Sequence, residues 1–93
     1  MAAWKNVRVN EYDLRTKSMR LSVHRHRDFP GEWYLTCYEL QVTKRLGDVT
    51  LDTAKIKALN IIYAKLQGMV SEIQHSKEFD KAFAASNKLG DLK

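Results

Sequence analysis

His24 and His26, two residues apart with Asp28 next along, are the nearest approach in this chain to a metal-ligand set. On an extended segment, residues i and i+2 share a face, so both imidazoles and the carboxylate would point the same way. Zinc normally takes three or four ligands, and Cys37, the only cysteine in the chain, falls on the opposite face of the next strand. The set is therefore read as no metal site, and no cofactor is expected. Cys37 itself lies two residues from Leu35 and four from Trp33. A thiol predicted to be buried there behaves as a small hydrophobe and not as a nucleophile. Glu11, Asp13, Asp28, Glu32, Glu39 and Asp48 fall mostly at expected strand ends and turns instead of in facing acid/base pairs, and no glycine-rich phosphate loop is present. These residue types predict a binder and not an enzyme.

The positive and aromatic side chains are better organised. From Ser18 to Tyr38 the sequence alternates with a period of two. Met19, Leu21 and Val23 take one face, while Arg20, Ser22, His24 and His26 take the other. After the Asp28-Phe29-Pro30-Gly31 turn, Trp33, Leu35 and Cys37 share a face, with Tyr34, Thr36 and Tyr38 opposite. Arg8 and Asn10 from a first strand would join the polar side. A face that combines arginine, histidine and tyrosine offers phosphate contacts and rings on which bases stack, which suits single-stranded nucleic acid.

The elements that must position this face are those of a small domain. The chain has 93 residues, 16 Lys and Arg against 11 Asp and Glu, and a net charge of +5. A chain of that size holds one core at most, so residues 1–93 are read as a single domain. All six arginines lie before residue 46, and the second half carries its positive charge on lysine. No apolar run approaches the ~18 residues of a membrane span. The absence of a signal-like N-terminal stretch and of a cysteine pair predicts a cytoplasmic protein.

Lys5 to Tyr12 reads as a first strand, with Val7 and Val9 inward, and Asp13 to Lys17 as its hairpin connection. Strands two and three follow, joined through the chain's only proline at Pro30-Gly31. The inward parity changes after Cys37, which predicts a bulge near Tyr38 or Glu39. Lys44 to Leu51 is expected to make a short fourth strand. From Asp52 onward the apolar period becomes helical, with Ile56, Leu59, Ile62, Tyr63, Leu66, Met69, Val70 and Ile73 forming one stripe. That stripe is expected to cover the sheet, with Thr50 or Asp52 as N-cap. Ala54, Ala58, Ile61 and Gly68 form a second, flatter face suited to a dimer contact. The fold class is thus α+β: an antiparallel sheet of three to four strands over residues 4–51, one long amphipathic helix over 52–75, and a short helical C-terminal segment over 76–89. The phenylalanines of that last segment need cover, which also favours a homodimer.

This order of elements, with a charged first strand, a Pro-Gly hairpin and Leu46-Gly47-Asp48-Val49-Thr50-Leu51 leading into a capped helix, resembles the transcriptional positive-coactivator family. The resemblance covers residues 4 to 75 and implies single-stranded-DNA binding by a dimer, with a place in transcription regulation. It implies Arg20, His24, Tyr34, Tyr38, Lys44 and Arg45 as contacts, to which the alternation adds Arg8 and His26. The Trp-Tyr-rich third strand and the segment from Ser76 depart from the family pattern. The alternative expectation is a small phage-type adaptor or inhibitor that docks its basic face on an acidic protein partner.

Overall fold

The computed structural model describes residues 3–78 and residue 81. Its chain forms two compact units, Met1–Ile62 and Tyr63–Lys93. The first holds a five-stranded sheet in the order β1-β2-β3-β4-β5, with β1 Trp4–Arg8, β2 Glu11–Arg15, β3 Arg20–Arg25, β4 Trp33–Cys37 and β5 Val42–Gly47. Every neighbouring pair is antiparallel. One long helix, α1 Leu51–Gln74, follows. The α+β class and the antiparallel sheet are as expected, but the sheet has five strands in place of three to four.

The extra strand comes from residues 5–17. Asn10 adopts a left-handed conformation, φ 59°, which asparagine tolerates better than most residues, and the chain reverses there instead of continuing to Tyr12. Arg8 then pairs with Glu11 across a tight turn, and Asp13, expected in a connection, lies inside β2. A register shift between Asn6 and Arg8 takes Val7 out of the alternation. Val7 and Val9 are consequently exposed, not inward. The true connection to β3 is shorter: the Thr16 hydroxyl accepts the backbone N–H groups of Ser18 and Met19 at 3.3 and 3.2 Å.

The Phe29-Pro30-Gly31-Glu32 turn closes with Glu32 N–H donating to the Phe29 carbonyl at 3.0 Å. After β4, the expected irregularity is a single 3₁₀ turn, Tyr38–Leu40, ended by left-handed Gln41. The strand that resumes runs from Val42 to Gly47 and so begins and ends earlier than Lys44–Leu51. Its pairing with β4 shifts between Trp33 and Tyr34, where Gly47 takes φ 94°.

The core of the first unit is Leu21, Val23, Trp33, Leu35, Cys37, Val42 and Leu46 with Ala54, Ala58 and Ile62 of the helix. Thr50 is the N-cap: its Oγ1 accepts the Thr53 N–H at 3.2 Å, and its carbonyl accepts that of Ala54 at 2.9 Å. Of the stripe expected to face inward only Ile62 enters this core, joined by Ala54 and Ala58 from the face expected outside. Ala54 and Ala58 are wholly buried, whereas Ile56, Leu59, Tyr63, Met69, Val70 and Ile73 are exposed. Ala54 and Ala58 put small side chains at this contact, and Lys55 lies over the rings of Tyr12 and Trp4, its Nζ 4.9 and 5.9 Å from their centroids. Lys57 Nζ donates to the Leu46 carbonyl at 3.2 Å. In the second unit α1 ends at Gln74, with helical backbone again at Lys77, Glu78 and Lys81. Most of the segment expected over 76–89 lies outside the described residues.

Candidate nucleic-acid interface

The sheet register assembles a polar face from residues far apart in sequence. Arg8 pairs with Glu11, Glu11 with His24, His24 with Tyr34, and Tyr34 with Arg45. One cross-strand row therefore spans all five strands, with an arginine at each end and rings in the middle. A parallel row holds Lys5, Asp13, Ser22, Thr36 and Thr43. Strands sit about 4.8 Å apart, so the first row is about 19 Å long.

Tyr34 is the centre of a small ring ladder. Its centroid lies 6.5 Å from that of His24 in a near-parallel stack and 4.7 Å from that of His26. His26 in turn lies 5.3 Å from Phe29. Both histidines have defined hydrogen bonds. His24 Nδ1 donates to the Arg25 carbonyl at 3.3 Å, which leaves Nε2 to accept the Thr36 hydroxyl at 2.9 Å. His26 Nδ1 accepts the Asp28 N–H at 3.0 Å, which leaves Nε2 as the donor nitrogen of the ring. Phe29, which the sequence pattern assigned only to a turn, becomes the exposed end of the ladder.

Carboxylates temper the positive charge. Arg45 pairs with Glu32. Asp13, buried on this face, has Oδ2 3.7 Å from Arg20 Nε and 3.9 Å from Arg15 Nη2, while its Oδ1 has no hydrogen-bond partner among the described residues. Beside it, Glu11, Arg20, Ser22, His24, Thr36 and Tyr38 line a shallow pocket of about 220 Å³. Glu39 accepts the backbone N–H of Arg20 at 3.0 Å. That bond, with a second from its own N–H, holds the Glu39 carboxyl below the ordinary glutamate value of 4.5.

Of the eight candidates, Arg8, His24, Tyr34 and Arg45 share one row, and Arg20 lies on the same face of β3. His26 lies past the end of β3 but joins through its ring. Tyr38 stands in the 3₁₀ turn, largely exposed, at the edge of the pocket. Lys44 does not belong: it pairs with Leu35 on the opposite, apolar side, because alternation separates it from Arg45. Asn10, grouped with this face in the sequence, is spent in the turn. Arg25 also serves the other side, its guanidinium 4.5 Å from the Trp33 ring centroid.

Among the described residues, no three His, Cys, Asp or Glu side chains converge as metal ligands. Cys37 is fully buried, and burial pushes its thiol above the ordinary value of 9.0. No helix among the described residues is long and apolar enough to cross a membrane. No family model, curated protein or solved structure matches this chain.

Proposed function

We propose that this protein binds single-stranded nucleic acid across the polar face of its sheet, without turnover. The observation that carries the reading is the row Arg8-Glu11-His24-Tyr34-Arg45, with its ladder of rings. Cations at the two ends suit a phosphate backbone that crosses the sheet, and the central rings offer stacking surfaces to unpaired bases. The interspersed carboxylates argue for a single strand. Glu11 and Glu32 would repel the dense phosphates of a duplex, whereas an unpaired base presents amino groups that a carboxylate accepts.

The same ion pairs favour a second reading, an acidic protein partner. Arg45 with Glu32, and Asp13 with Arg15 and Arg20, neutralise part of the face and leave a mixed surface of the kind proteins recognise.

Titration of Trp and Tyr emission with a short single-stranded oligonucleotide, at low and near-physiological salt, separates the two. Saturable quenching that weakens with salt is expected. A double variant Tyr34→Ala, Arg45→Ala should lose affinity broadly across sequences. Absence of any response at low salt would overturn the nucleic-acid reading and leave the protein-partner one, for which one or two central side chains should dominate.

A further inference from the structure

The apolar stripe of α1 that the core leaves exposed has the spacing of a coiled-coil seam. Ile56, Leu59, Tyr63, Leu66, Val70 and Ile73 follow one another at intervals of three, four, three, four and three residues. That is an uninterrupted heptad pattern in which Ile56, Tyr63 and Val70 occupy a positions and Leu59, Leu66 and Ile73 occupy d positions. Tyr63 is 64% exposed, Ile73 59% and Val70 52%, although such side chains are ordinarily the ones removed from water.

We propose that a second copy of this chain covers this seam, making a parallel two-stranded coiled coil along α1. Four features point to a copy of the same chain. First, β-branched residues at two of the three a positions with leucine at two of the three d positions favour two parallel strands. Second, Tyr63, Leu66, Gln67 and Val70 line an apolar groove of about 390 Å³ together with Gln74. The first four occupy a, d, e and the next a, the set that encloses a d-position knob, so the groove is a preformed hole for the other copy's Leu66.

Third, the flanking positions permit self-pairing. Asn60, Gln67 and Gln74 at e, with Ile62 and Met69 at g, carry no charge, so two identical helices meet without like-charge repulsion at those sites. Lys55, the one charged flank, is turned toward the rings of Tyr12 and Trp4. Fourth, the repeat stops with Ile73, since the next a and d positions are Lys77 and Asp80. The seam is thus confined to about 26 Å of helix. It is distinct from the alanine face, which the first unit's own core already uses.

The test is sedimentation equilibrium on the full chain over micromolar to submillimolar concentration. The expected result is a concentration-dependent shift from the 10.8 kDa chain mass to twice that value. The double variant Leu66→Glu, Val70→Glu should stay at the single-chain mass while its circular dichroism and Trp emission are retained. Separately, Ile73→Cys should crosslink to itself under mild oxidation, because a parallel pair brings the two copies of residue 73 together. An antiparallel pair would place each opposite Ile56 instead. Since that crosslink is read in an otherwise unaltered chain with Cys37 buried, it decides the matter even where the double variant loses its fold. A monomer at every concentration, a dimer indifferent to both glutamates, a trimeric or tetrameric mass, or no Ile73→Cys crosslink would each overturn the proposal.

Discussion

Tyr34 has His24 and His26 on its ring, Arg45 across one strand boundary and the His24 backbone across the other. If bases stack there, Tyr34→Ala removes one stacking partner, worth about 1–3 kcal/mol, or roughly a 5- to 150-fold weaker Kd for a single-stranded oligonucleotide. Lys44→Ala provides the control. Both shorten a polar side chain on neighbouring strands, but Lys44 pairs with Leu35 on the far side, so its loss should leave the Kd nearly unchanged in the same fluorescence titration. A second prediction concerns Glu39. Its folded carboxyl is held below the ordinary value because the Arg20 N–H donates to the ionised form. Stability from this bond is therefore fully present above the unfolded pKa and is lost as pH falls through the folded one. Denaturant midpoints measured at neutral pH and at successively lower pH should show that loss in the natural chain. Glu39→Gln should be less stable at neutral pH and should flatten that part of the acid profile.

At the scale of elements, α1 is held at its start by a specific cap and weakened in its middle by a glycine. Thr50→Ala removes the acceptor of the Thr53 N–H and should cost about 1 kcal/mol. Gly68→Ala should gain up to about 1 kcal/mol, since a Cβ there meets nothing within 4 Å. Position 68 also lies off the heptad seam, so the substitution should strengthen the helix without blocking self-association. Thermal melts followed at a helical circular-dichroism wavelength check both. The helix, its cap and the two central strands were legible because each rests on a local signal: a period, a capping threonine or a Pro-Gly turn. The division of residues 4–15 into two strands was not. It depends on one left-handed asparagine and one bulge, and neither alters the propensity of the residues around it.

For the whole molecule, the net charge of +5 counts for less than its arrangement. The arginines of the sheet face are partly spent on Asp13 and Glu32, so few remain to displace counterions from a nucleic acid. Each neutralised phosphate steepens the slope of log affinity against log salt by about 0.7 for a single strand. Even with Arg20 and Arg45 exchanging their carboxylates for phosphate, Arg8, Arg20 and Arg45 together predict a slope no steeper than about −2, far shallower than sixteen positive residues would suggest. A slope several-fold steeper would mean that contacts extend well beyond this face. A dimer joined along α1 would carry two such faces, and a strand long enough to reach both would bind more tightly through effective concentration alone.

The linear order of residues was enough to determine the α+β class, the alternation of β3 and β4, the burial of Cys37 and Leu35, and most members of the polar face. Each follows from spacing along one element, because side-chain direction repeats every two residues in a strand and every 3.6 in a helix. Only the tertiary structure decided which face of α1 enters the core. Sequence periodicity shows two faces, one large and apolar and one of small residues, and size favours burying the first. Packing puts Ala54 and Ala58 into the core and leaves most of the larger stripe, Ile62 apart, outside it. Register across strands was likewise undecided until the sheet formed. Arg8, His24, Tyr34 and Arg45 meet in one row only because the turn at Asn10 and the shift at Trp33 bring them level.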